Sequence, residues 1–168
     1  IFDEAIYGAV RFHHRSVREF LTAKWFNGLL SKNSSQAQIE SHFFRNQYGI
    51  EVLTPTLRPI LPWLVIWNEH FRKRVSKIDP KVFFEGGDPS QLELGVRKDI
   101  LRDVCEGLAK SHPRQLLYDI GAVQRFSSQD LAEHIRTLIE QYSGDEEVVG
   151  FLLRMVWTGR IKGMDREI

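Results

Sequence analysis

The hydrophobic positions near the start of the chain change period where an extended segment meets a helix. In Val10-Arg11-Phe12-His13-His14 the residues alternate, so Val10, Phe12 and His14 fall on one face and Arg11 and His13 on the other. Phe2 to His14 therefore reads as a strand pair turning near Tyr7-Gly8, although Ile1 to Ile6 is equally compatible with a short helix. After Ser16 the period becomes helical: Val17, Phe20, Leu21, Ala23, Phe26, Leu29 and Leu30 gather on one side. Ser16 and Glu19 have the spacing of a reciprocal capping box, which sets the expected helix start. His14 then lies beside the positive end of the helix, where an anion is favoured.

Further along, a second helix is expected from about Ser35 to Tyr48, stopping at a left-handed Gly49, with Ile50 to Pro55 as a linker. Leu57, Leu61, Leu64, Asn68, Phe71 and Val75 form one helical stripe, with Pro59 and Pro62 confined to its first turn or just before it. Trp63 and Trp67 flank that stripe, and packing against a neighbouring helix is favoured over a recognition platform.

Asp79-Pro80 and Asp88-Pro89 each put an N-cap acceptor before a proline suited to the first helical position. The helix after the second pair carries Leu92, Val96, Ile100, Leu101, Val104 and Leu108; Gly95 and Gly107 within it suggest close helix contact. A short helix through Leu116, Leu117 and Ile120 would close at Gly121. Ser127 or Ser128 would cap a helix carrying Leu131, Ile135 and Leu138, and Asp145 would start a last helix that is apolar nearly all round.

These elements define a mainly α chain: a short N-terminal β-hairpin followed by a helical array, either a HEAT-like α-solenoid or an irregular helical bundle.

The segment Phe12-His13-His14-Arg15-Ser16-Val17-Arg18-Glu19-Phe20-Leu21-Thr22-Ala23 resembles the F-x-H-x-[ST]-x-x-E-[FY]-x-A-A motif that ends the winged-helix region in NACHT-type signal-transduction ATPases, with Thr22 replacing the usual alanine. Leu57 to Leu101, including GGDPSQL, is similar to the helical region that follows the motif in bacterial members. The resemblance implies that residues 1–31 end a winged-helix-like region. Residues 32–168 would begin a helical array that continues in a longer parent protein. It also implies that His14 contacts the terminal phosphate of ADP in the closed resting state, whereas His13 has no such counterpart. The parent would bind ATP or ADP with magnesium through an upstream nucleotide-binding domain of the same chain. Its helical arm would bind a protein ligand or support self-association.

Composition narrows the alternatives. Hydrophobic residues at 42% and charged residues at 27% describe an ordinary globular chain, and a formal net charge of +1 does not by itself argue for nucleic acid. A free-standing scaffold binding a protein, or nucleic acid through Arg72, Lys73 and Arg74, is the competing reading. The lone Cys105 excludes an internal disulfide and sits among apolar residues as a structural thiol; with no secretory leader or membrane-length apolar run, a cytoplasmic location is expected. No Walker loop, zinc-ligand spacing, calcium loop or nucleophile elbow is present, so no catalytic residue and no metal ligand is assigned within this chain.

Overall fold

A computed structural model of the chain describes residues 2–4, 10–12, 14–32, 36–111 and 119–164. Strand β1 (Phe2–Glu4) pairs antiparallel with β2 (Val10–Phe12), in the register Phe2 to Phe12, Asp3 to Arg11 and Glu4 to Val10. This is the expected N-terminal hairpin; its Tyr7-Gly8 turn lies outside the described residues. Helix α1 (Arg15–Leu30) follows almost at once, with Ala23 and Leu30 buried and Leu21 and Trp25 exposed on its outer side.

Helix α2 (Gln36–Phe43) is shorter than expected, because the chain turns into a second hairpin. Strands β3 (Phe44–Gln47) and β4 (Ile50–Leu53) pair antiparallel around Tyr48 and Gly49, both left-handed at φ 54° and 81°. Asn46 Oδ1 accepts the Gly49 amide at 2.9 Å and closes the turn. The left-handed glycine is thus present, but it serves a hairpin and not a helix end, as its mirror-image turn geometry requires.

The single helix expected over Leu57 to Val75 is three pieces. Arg58–Ile60 is a 3₁₀ turn, α3 runs Leu61–Trp67 and α4 runs Glu69–Ile78. The break falls at Asn68, whose extended backbone interrupts the helix and whose side chain accepts the Phe71 amide at 3.0 Å. An asparagine that falls on the stripe by spacing is the cap of the next helix.

Pro80–Phe84 forms a 3₁₀ segment whose Val82, Phe83 and Phe84 are all buried, touching α3, α4, α5 (Leu94–Ser111) and α6 (Ile120–Phe126). Pro89–Gln91 is a separate 3₁₀ turn, so Leu92 precedes α5 instead of lying on it. Gly95 is exposed with nothing near its absent Cβ, and at Gly107 a Cβ would meet Pro80 at an ordinary 4.0 Å. Among the described residues, no other helix comes into close contact at either glycine.

Ile120 and Gly121 open α6, with the Asp119 carboxylate accepting the Ala122 amide at 2.8 Å. They do not close a preceding helix; Leu116 and Leu117 lie outside the described residues. Ser128 holds the N-cap position of a 3₁₀ turn (Gln129–Leu131) leading into α7 (Ala132–Gln141), and Asp145 caps α8 (Glu146–Gly159) by accepting the Val148 amide at 3.1 Å.

Helix α8 packs on α5, α6 and α7. The C-terminal helices therefore form a group around α8, unlike a solenoid in which each unit meets only its neighbours. One buried cluster runs from Ala23 through Phe43, Phe71, Phe84 and Leu108 to Met164. Among the described residues, no helix is long and apolar enough to cross a membrane.

Candidate functional site at the start of α1

His14 occupies the N-cap position of α1 with φ −112° and ψ 131°, an extended backbone directly before the chain coils. It is exposed, its carbonyl accepts the Val17 amide at 3.2 Å, and its side chain does not cap the first-turn amides. The first turn has no acidic residue, while Arg15 and Arg18 are exposed beside it. Arg15 is paired with Glu19, so the helix dipole and Arg18 are what make this end electropositive. His13 lies outside the described residues.

The Ser16–Glu19 capping box does not form. Helix α1 starts one residue earlier, at Arg15, so Ser16 already lies within it, and Glu19 instead accepts the Arg15 Nε at 2.5 Å. A charged partner four residues away competes for the carboxylate that the box needs. Thr22, the departure from the family motif, fits because its hydroxyl donates to the Arg18 carbonyl at 2.8 Å.

From its second turn α1 is tied to the helical body. Phe20 meets the edges of two indoles, with ring centroids 5.2 Å from Trp63 and 5.5 Å from Trp67 and interplanar angles of 81° and 76°. The two tryptophans are thus packed against a neighbouring helix, as expected. Phe26 continues the contact to Phe43 at 4.9 Å, and Phe43 to Phe71 at 5.2 Å.

The structural aspartates behave differently from one another. Asp79 caps the Pro80 turn by accepting the Lys81 amide at 3.2 Å and also accepts Arg58 Nη2 at 2.7 Å; the same guanidinium reaches Glu85 at 2.5 and 2.8 Å. Asp88 stands in the cap position before Pro89 and takes the Gln91 amide group at 3.0 Å and the Ser90 hydroxyl at 2.6 Å. These side-chain donors hold its carboxyl below the usual range.

The basic run on α4 is largely engaged. Arg72 donates to the carbonyls of Val65 and Ile66 at 3.0 and 3.2 Å, which otherwise face the break at Asn68. Arg74 pairs with Glu40 and Glu51 and lies 4.0 Å from the Phe44 ring centre, while Lys73 pairs with Glu69 at 2.6 Å. These are intramolecular ties rather than a basic patch. Cys105 is buried, and burial followed by the charge of Asp145 pushes its thiol up to about 12.

One polar centre was not anticipated. Arg97, 7% exposed, donates to the carbonyls of Leu92 and Phe126, each at 3.2 Å, to the Ser128 hydroxyl, and to Asp130 at 2.7 Å. It ties the start of α5 to the α6–α7 connection. Only its place between the apolar Val96 and Ile100 could have signalled this. Comparison of the chain with protein-family models, curated proteins and solved structures found no match.

Proposed function

We propose that this chain is a non-catalytic regulatory and linker segment of a NACHT-type nucleotide-switched NTPase, coupling its nucleotide-binding module to a helical sensor or interaction arm. The observation that carries the reading is His14: an exposed imidazole where a hairpin strand becomes the N-terminus of α1, within a motif that resembles the family's. In this reading His14 faces the terminal phosphate of ADP held by upstream residues of the parent. A contact of this kind is worth ~1.5 to 3 kcal/mol. Phosphate binding, magnesium coordination and hydrolysis belong to the upstream module.

Helix α1 supplies the coupling. It is ~24 Å long at the standard rise per residue, and Phe20 on its inner face engages Trp63 and Trp67. A change at His14 therefore reaches α3 through a single rigid element.

The test compares His14→Ala and His13→Ala in the full-length protein. His14→Ala is expected to lose ADP faster and to assemble without its trigger, with the closed-to-open ratio shifted roughly tenfold to a hundredfold. His13→Ala should behave as wild type. Identical ADP retention in the two variants would remove the phosphate role from His14.

A further inference from the structure

At the opposite end of the fold, a cleft of about 850 Å³ lies between the C-terminal turn of α8 and the first turns of α6. Ile120, Gln124, Val156, Trp157, Arg160 and Lys162 line it. Trp157 is 79% exposed and Ile120 70% exposed, although tryptophan ordinarily buries most of its surface. Among the described residues the lining has no carboxylate, and neither Arg160 nor Lys162 has an acidic partner. The nearest acid in sequence to Ile120, Asp119, is committed to capping α6.

The segment carrying the two cations is held in place. Gln129 accepts the Lys162 amide at 2.9 Å and donates to its carbonyl at 3.1 Å. Ile161 and Met164 are buried on either side, and Arg136 donates to the Gly163 carbonyl at 2.9 Å. Arg160 itself is left-handed, at φ 51°, in a position that commonly takes glycine. Gly159, the residue before it, is fixed by packing, because a Cβ on it would stand 2.4 Å from that of Ser127. The chain thus accepts backbone strain at residue 160 and keeps a cation at the cleft.

We propose that this cleft binds one nucleotide unit, with the base stacked on Trp157 and its phosphate held by Arg160 and Lys162. A planar ring uses the indole, an anion uses the cations, and the Gln124 amide offers a donor and an acceptor to a base edge. A simple anion would leave the indole unused, and an apolar peptide would leave both cations unneutralised. The unit can come from a free mononucleotide or from a single strand of nucleic acid. The site is separate from His14 and does not depend on the reading given above.

Calorimetric titration of the 168-residue chain with AMP, a short single-stranded oligonucleotide, a duplex of the same sequence and sodium phosphate tests this. Saturable binding of AMP or of the single strand is expected, and whichever binds more tightly identifies the source. Arg160→Gly should weaken it roughly tenfold or more while its melting midpoint stays at or above wild type, since glycine relieves the strained backbone. Lys162→Gln and Trp157→Ala should also weaken it, and His14→Ala should leave it unchanged. Absence of saturation by both nucleotide probes, equal affinity for phosphate alone, equal binding of the duplex, unchanged binding by Arg160→Gly, or loss in His14→Ala would each overturn the proposal.

Discussion

Gly87 lies so close to Pro62 that a Cβ on it would stand 2.3 Å from the Pro62 carbonyl oxygen. It is also left-handed, at φ 71°, and its own carbonyl accepts two donors from Arg125 at 2.8 and 3.1 Å. Gly87→Ala is therefore expected to cost ~2 kcal/mol or more, from clash and backbone strain together. Gly95, at the exposed start of α5, has open space around it. Gly95→Ala should stabilise by ~0.5 to 1 kcal/mol. Urea denaturation of the two variants checks both signs.

Removing the Arg97 side chain strips donors from two backbone carbonyls and from Asp130. Arg97→Ala should lose ~2 to 4 kcal/mol, mostly from the carbonyls left without partners. Asp130→Ala should lose less, because its carboxylate is 42% exposed and that pair is partly screened. Equal losses in the two variants would place the energy in the ion pair instead.

What the sequence disclosed and what it hid follow from competition between local signals. Asp145 and Asp79 were legible because an acid at the start of a helical turn caps it whatever else it binds, and the Phe20-facing tryptophans because their flank position leaves them a neighbouring helix to meet. Asn68 was hidden because its spacing fits the apolar stripe, while its amide oxygen caps α4. The β3–β4 hairpin gives no alternation to read, since only Phe44 of β3 is buried. Ser16 and Glu19 have the capping spacing, but Arg15 takes the carboxylate. Ser16→Ala should consequently change stability by only a few tenths of a kcal/mol, within the range of ordinary surface substitutions, and a loss near 1 kcal/mol in thermal melts would restore the box.

The buried Cys105 thiol makes stability depend on alkaline pH. Its folded pKa is raised to about 12, by burial first and Asp145 second, so the unfolded chain loses this proton at lower pH than the folded one. The contribution is intact below ~8.5, the ordinary thiol value, and is lost as pH rises toward the folded value. Wild type should therefore lose ~2 to 3 kcal/mol relative to Cys105→Ala between pH 8 and pH 10.5. A constant difference between the two across that range would mean that Cys105 is not shielded.

Phe20 offers the test of coupling itself. Its ring stands edge-on to both Trp63 and Trp67, and each aromatic pair is worth ~0.5 to 1.5 kcal/mol beyond area burial. Phe20→Ala should destabilise the chain by ~1 to 3 kcal/mol and alter tryptophan emission as the two indoles lose their shared neighbour. Phe20→Leu should recover much of the stability, because it refills volume, but not the edge-to-ring geometry. In the full-length protein, the proposed relay predicts a different pattern from that of His14→Ala. ADP should be retained as in wild type, since the phosphate contact is untouched, while triggered assembly weakens because movement of α1 no longer carries α3. Fast ADP loss in Phe20→Leu would show that the aromatic contact holds the closed state directly and is not a link downstream of it.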